Sequence, residues 1–557
     1  MFLASGVRRG AWALGCCVLL VLVGWPRALP AATAFNMTLR SQLPLSTATD
    51  VSAAGNLVFV GRSASGVSIV DASDPAHPEL LATWKHPTLP QVTNAARALG
   101  SMLYVSNEVG GPYGLFALDI SDPRAPALVS LLGPPAFPAN VHNLWADDHQ
   151  LYLAGYGMGG GNVIVDVSNP ATPVRLTAIP TGFHDNTVIG HYLYVAAGYD
   201  GFTRYDITNP ALPVAEVTYN SSDSDTSYYA HIAWPIDERY VFASEEVQIP
   251  PAGFGPGSFR VLDFGKPKRP STVFRWTSEH AKDDHRITAH NVYVHQGFAY
   301  LSYYQDGVRV LDVSDPREPV EVAWYDTYPE PVQTLFEGCW GVYPFAGPDR
   351  IYASDRTHGL FVLAFNGARK GTLQGTVRDA VTLEPIPGAG ITSLTAERST
   401  FADQQGHYVL KTGAGSHTLR ATAVGYHPRS EEVTLAPLAT SAADFLLLPT
   451  SIPVAEEAAP AVSGLTLRLA PNPAPGGRTG IAIRVPPDLA GRSLTLAIYG
   501  PEGSRRRLLV RGAAVPGVQV APWDGRDDGG HALPAGVYFV RIAAGSRTTS
   551  TKLVLAR

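Results

Sequence analysis

Cysteine is nearly missing from this chain. Three occur among 557 residues, and two of them, Cys16 and Cys17, sit in the apolar run "AWALGCCVLLVLVGW" near the start. Cys339 is then alone in the remainder, which excludes an internal disulfide framework and any cysteine-rich metal cage. Charge is scarce as well: Asp, Glu, Lys and Arg make up 16% of the residues, and the formal net charge is -6 with no basic block. Nothing there would track a phosphate backbone, so no nucleic-acid partner is expected. Past the first segment no run is long and apolar enough to span a bilayer, so the mature chain should hold no membrane helix. Catalytic signatures are missing too. There is no G-x-S-x-G elbow, no H-E-x-x-H helix and no phosphate-cradling loop, which tilts the reading away from an enzyme without closing it.

What is present begins with an export signal. Arg8 and Arg9 precede the apolar run, and Ala32, Thr33 and Ala34 supply small residues for cleavage, so residues 1–34 read as a secretory signal peptide, with a retained membrane anchor as the alternative. Glycine (54) and proline (46) are abundant, and that mixture favours many short strands and tight turns over long helices.

The dominant feature is a repeat. The phrase D-x-[ST]-[DN]-P-x-x-P begins at Asp71, Asp119, Asp166, Asp206 and Asp312, with a degenerate copy at Asp263, at spacings of 40 to 57 residues. Within a unit, "HNVYVH", "FAYLSYY" and "VRVLDV" are β-branched and aromatic runs separated by "QG" and "QDG", and "VEVAWYD" follows the Asp-Pro turn. Four strands per unit in about seven units predict a β-propeller. The last unit, "GLFVLAF", has Ala364 in place of the signature Asp and stops there. The early strand-like "FNMTLRSQLPL" should supply its missing outer strand and close the ring.

The repeats resemble LVIVD repeats. Over roughly residues 36 to 366, "SYYQDGVRVLDVSDP" and "WGVYPFAGPDRIYASDRTHGLFVL" are similar to the choice-of-anchor B family of exported bacterial proteins. That resemblance implies a propeller with interchangeable C-terminal anchoring modules and no established reaction. Beyond Lys370, "GTVRDA", "PIPGAGI", "DQQGHYVL" and "ATAVGY" resemble the carboxypeptidase regulatory-like domain, a spacer or weak binding module. After the linker "PTSIPVAEEAAPAVSG", the features "WDGRDDGG", "PAGVYFVRI" and "TKLVLAR" resemble flagellar-hook-cap Ig-like modules and type IX secretion sorting domains.

The chain is thus expected to be all-β, with a seven-bladed β-propeller at 35–367, a β-sandwich at 370–449, a linker at 450–464 and an Ig-like sorting or anchoring domain at 465–557. A secreted or cell-surface location is implied.

Four successive units open their first strand with histidine. His142, His184 and His290 precede their signature Asp by 24, 22 and 22 residues, and His231 occupies the same register before an insertion. In a propeller this strand lines the central channel, so the imidazoles should converge. Loops after the second strand carry Glu108, Asp200, Glu245, Glu246, Asp306 and Asp355, and antiparallel pairing puts them at the same rim. Such a rim could hold a divalent transition metal through His142, His184, His231 and His290. Alternatively the rings cap backbone groups at the strand starts. Trp145, Trp234 and Trp340 follow the rim positions and could stack on a sugar or peptide, or simply pack. "HAKDDH" at 280–285 reads as a solvated connection, and Cys339, with His358 nearby in sequence, as buried filler. The preferred function is a binding or interaction module for an extracellular glycan, peptide or protein, with export or sorting machinery as a C-terminal partner. The alternative is a metal-dependent hydrolase or lyase at the histidine rim.

Overall fold

The computed structural model describes residues 33–556 except 109–110, 156–160, 180–183, 220–226, 250–254, 266–269, 282–285, 333, 451–464, 471, 473 and 475–478. The expected leader up to residue 32, Cys16 and Cys17, the linker from residue 451, and residues 282–285 of "HAKDDH" lie outside the described residues. Those described form an all-β structure whose only helical element is the 3-10 turn Pro487–Leu489. No helix among them is long and apolar enough to cross a membrane.

Seven sheets succeed one another between Ala34 and Phe365. The first, Val51–Ala54, Leu57–Gly61, Val67–Asp71 and Glu79–Trp84, pairs its strands in chain order, and the next five repeat that plan. The seventh has three strands of its own, Cys339–Tyr343, Ile351–Asp355 and Gly359–Phe365. Its outer strand is Met37–Leu43, antiparallel, with Met37 opposite Phe365 and Leu43 opposite Leu360, the place expected for the early strand. The first strands of successive sheets touch, and Cys339–Tyr343 touches Val51–Ala54, so the sheets close into a ring with no open edge at the join. One pairing was not foreseen: Ala34–Phe35 adds a fifth strand to the sixth sheet, beside Val320–Tyr325.

The repeated phrase is a pair of side-chain turns. In each copy the signature aspartate accepts the N–H two residues on: Asp71 from Ser73, Asp119 from Ser121, Asp166 from Ser168 and Asp206 from Thr208, all at 2.8 Å. The Asp or Asn before proline repeats the contact, as Asp74 does for Ala76 at 2.9 Å and Asn169 for Ala171 at 3.1 Å. These two Asx turns and the fixed φ of proline end the third strand and aim the fourth. Third strands such as Val308–Asp312 are buried along their whole length, as a strand covered by neighbours on both faces must be.

Two pairs of smaller sheets follow, one between Lys370 and Leu447 around Leu373, Val377, Ile391, Leu419 and Phe445, the other between Thr466 and Leu555 around Ile481, Leu496, Trp523 and Val540. The former sits against the sixth sheet. Asn36 donates to Val322 O and Ala414 O, each at 2.8 Å, and Phe35, Trp324 and Ala396 share a small apolar cluster.

Candidate functional site: the two ends of the channel

Strand register fixes what the ring encloses. Thr49, Asn94, His184 and His290 stand two residues before the first ladder pair of their sheets, and His142, His231 and, in the seventh sheet, Trp340 occupy the same level at a register shift within theirs. One residue further along stand Asp50, Asn143, Asp185 and Asn291. Three residues beyond the first set come Ser52, Arg97, Trp145, Trp234, Tyr293 and Tyr343, all lining a cavity at the other end. The first strands therefore build three tiers: imidazole, carboxylate and amide, then aromatic.

At the upper tier the four histidines stack round the axis. Ring centroids are 4.4 Å apart for His142 and His184, 4.2 Å for His184 and His231, and 4.2 Å for His231 and His290. Trp340 continues the series 4.7 Å from His290. Possible ligand atoms of His142, His184 and His231 lie within 4.8 Å of one another, and so do those of His231, Glu246 and His290. Glu108 Oε1 is 2.9 Å from His142 Nδ1, and Tyr304 donates to Glu246 Oε1 at 2.6 Å. Asp185 lies beneath three rings, 3.5 Å from His231 Nδ1, 3.7 Å from His184 Nδ1 and 3.9 Å from His142 Nε2. Neither ring nitrogen of His231 makes a hydrogen bond among the described residues, although the side chain is only 1% exposed. The backbone-capping alternative holds for His290, whose Nδ1 meets Trp340 O, and fails for His231.

Burial sets the electrostatics of this tier. It holds His184 and His231 well below the usual imidazole range, aided by neighbouring imidazoles, and drives His290 down to about 3. His142 goes the other way, to about 9, because Glu108 and then Asp185 and Glu246 outweigh its burial. Burial raises Asp185 and Glu246 to about 7 each. The neutral imidazoles of His184 and His231 thus face two enclosed carboxyls, neither of which pairs with an arginine or lysine among the described residues.

Of the carboxylates expected round this rim, only Glu108 and Glu246 reach the imidazoles. Asp200 is exposed on its turn. Glu245, adjacent to Glu246 on one strand, points to the opposite face and pairs with Arg260 Nε at 2.6 Å. Asp306 is taken by Arg309 at 3.0 Å and His280 at 2.6 Å. Asp355 accepts from Thr327 Oγ1 at 2.9 Å and from the N–H groups of Thr357 and His358. Trp145 and Trp234 belong to the opposite mouth, since three residues of strand carry them to its far end. His280, at the start of the expected solvated connection, is about half exposed and also lies 3.1 Å from Glu397. Cys339 is buried, with Sγ 3.6 Å from Gly341 O, and His358 turns instead to Glu330 at 3.0 Å.

Sequence reasoning missed Asp185, Asp50 and Arg97. Asp185 and Asp50 stand one residue, and Arg97 three residues, beyond an upper-tier position, and strict two-residue alternation from those positions skips all three, so counting alone did not reach them. Arg97 and Asp50 form a buried ion pair at 2.7 Å that divides the channel, and Arg97 also donates to Tyr293 Oη at 3.4 Å. Below them lies the aromatic mouth, a cavity of about 300 Å³. Trp145 meets Trp234 edge-on at 5.4 Å, Trp234 meets Tyr293 at 5.0 Å, and Phe345 closes the wall 5.7 Å from Tyr293.

Comparison with known proteins agrees with the repeats and the first tail module. The LVIVD repeat family matches residues 46–85, 152–178, 184–221 and 288–327, so His184 opens one matched stretch and His290 lies near the start of another. No curated protein matches the chain. Among solved structures, the N-terminal domain of Nup159 is 11% identical with TM-score 0.39, over 60% of this chain and 97% of that one. A chain of the mitotic checkpoint complex is 12% identical with TM-score 0.41, over 65% of this chain and 100% of that one. At such scores neither likeness supports an argument about this protein. The carboxypeptidase regulatory-like domain matches residues 372–448, so the chain carries LVIVD repeats followed by such a domain.

Proposed function

We propose that this chain is an exported bacterial binding module: a seven-bladed propeller at 35–367, carried at the cell surface by sandwich domains at 370–449 and 465–557. The resemblance to choice-of-anchor B proteins and to type IX sorting domains supports export and display. The observation that carries the binding role is the aromatic mouth. Concave, mostly apolar cavities with a few placed polar groups are the usual form of ligand sites, and about 300 Å³ is the small end of their range. It admits one ring-sized unit, not a folded surface. Aromatic walls beside Arg97 and Ser52 suit a sugar ring, which has apolar faces and hydroxyl edges. The ligand is therefore the end of an extracellular glycan.

The test is a glycan array probed with the full chain, followed by titration read through tryptophan fluorescence. Saturable binding is expected, weakened at least tenfold in Trp145→Ala while the unfolding midpoint moves little, because Trp145 is only partly buried. An array silent at high protein concentration, or Trp145→Ala binding like the parent, refutes the site. Export is tested separately by sequencing the N-terminus of protein recovered outside the cytoplasm, which should begin at Phe35.

A further inference from the structure

The upper tier of the channel is separate from the mouth proposed for a glycan, and a ligand held there is independent of that one. We propose that this tier binds one divalent transition-metal ion through the imidazoles of His142, His184 and His231, with the Asp185 carboxylate beneath them. Four observations converge on it. Three nitrogen donors from three different sheets lie within 4.8 Å of one another, and each is fixed by the start of a strand, so the group is preassembled by the ring. Tetrahedral zinc sites with metal–nitrogen bonds of about 2.0–2.1 Å need nitrogens roughly 3.4 Å apart, a contraction within reach of small ring rotations. His231 is buried with neither ring nitrogen hydrogen-bonded, an arrangement that folded proteins seldom keep without a use. Glu108 at 2.9 Å from His142 Nδ1 reproduces the carboxylate–imidazole pairing that orients metal-binding histidines, and Nε2 then faces the Asn94 amide at 3.3 Å, which an ion would displace, and Asp185 at 3.9 Å. Finally, Asp185 is buried and Glu246 partly so, and neither has an arginine or lysine partner among the described residues, so apart from the histidines the tier sets no cationic side chain against its carboxyls.

The donor set chooses the class of ion. Imidazole nitrogens favour zinc, copper, nickel or cobalt, whereas magnesium and calcium require oxygen shells. Glu246 and His290 share His231 with the first group and so border the same imidazoles.

The experiment uses the full chain stripped with a chelator and titrated with zinc(II) or cobalt(II) alone. One equivalent per chain is expected by calorimetry, with visible d–d absorption for cobalt, and saturating zinc should raise the unfolding temperature while magnesium does not. His184→Gln should weaken zinc at least tenfold, whereas His149→Gln, an exposed histidine elsewhere, should leave it unchanged. No heat and no zinc-dependent shift in the parent protein would overturn the proposal, as would equal affinity in the two variants. Should His184→Gln fail to fold, the parent's zinc shift and cobalt spectrum decide alone. A Glu108→Gln variant, expected to bind several-fold more weakly, keeps a mutational arm.

Discussion

The two ends of one channel are made by the same seven strands, three residues apart, and they solve burial in opposite ways. At the lower end Trp145, Trp234, Tyr293 and Phe345 satisfy one another by edge-to-face packing. At the upper end His142, His184, His231 and His290 stack as closely, yet neither ring nitrogen of His231 finds a hydrogen bond among the described residues. The lower end is finished by the fold itself, while the upper end holds donors in excess of what the fold uses. A ring of repeats makes this contrast possible, because each strand position is copied round the axis and only the side chain changes.

The comparison breaks most readily at the boundary between the ends. Asp50→Ala leaves Arg97 buried without its partner, and removing one member of a buried pair typically costs about 3–5 kcal/mol. Replacing both with Leu should recover much of that loss, since the desolvation of Arg97 goes with it. Urea unfolding of the two variants checks this. A loss under about 1 kcal/mol for Asp50→Ala would mean that the pair does not separate two environments.

Next in size is a contrast within one strand. Trp234→Ala removes a nearly fully buried ring and should cost about 3 kcal/mol or more. His231→Leu, three residues away and equally buried, should change the stability of the metal-free chain by about 1 kcal/mol or less, because no hydrogen bond of the imidazole is lost. Equal costs for the two would erase the distinction between a finished and an unfinished end.

The sequence showed the ring readily and the direction of its side chains poorly. Period, turn chemistry and apolar third strands are local signals, and so the repeat, the closing strand and the four histidines could be located by counting. Glu245 and Glu246 show where counting stops: neighbours on one strand, they serve Arg260 and the imidazoles respectively, and a bulged register, which shifts between Ala230 and Ile232, decides which is which. Asp306 was lost to the rim for another reason. Arg309, three residues on in its own third strand, and His280, 26 residues back in the connection before the sheet, both take its carboxylate, and the second of these contacts is not local. The seam with the tail was equally hidden, because a sandwich face and a propeller face each look complete in sequence.

That seam supplies the smallest and last test, a histidine in the environment opposite to that of the upper tier. His280 is about half exposed and lies between Asp306 and Glu397, with Arg309, Arg398 and Glu279 close by. The charge of Asp306 outweighs burial and, with hydrogen bonds donated by the imidazole to both carboxylates, raises His280 to about 10, whereas Asp306 itself falls to about 2. A histidine raised above its ordinary 6.5 stabilises fully below that pH and loses its contribution as pH climbs through 10. A carboxylate lowered beneath 3.8 contributes above that pH and fails as pH falls through 2. The contact between the sixth sheet and the tail should therefore be tightest between roughly pH 4 and 6.5 and loosen towards alkaline pH. Salt should weaken it, since His280 reaches solvent. Limited proteolysis across the 366–372 junction from pH 6 to 10 reads this out. His280→Gln should flatten the alkaline rise in cleavage, and a profile unaltered by that change would place the pH dependence elsewhere.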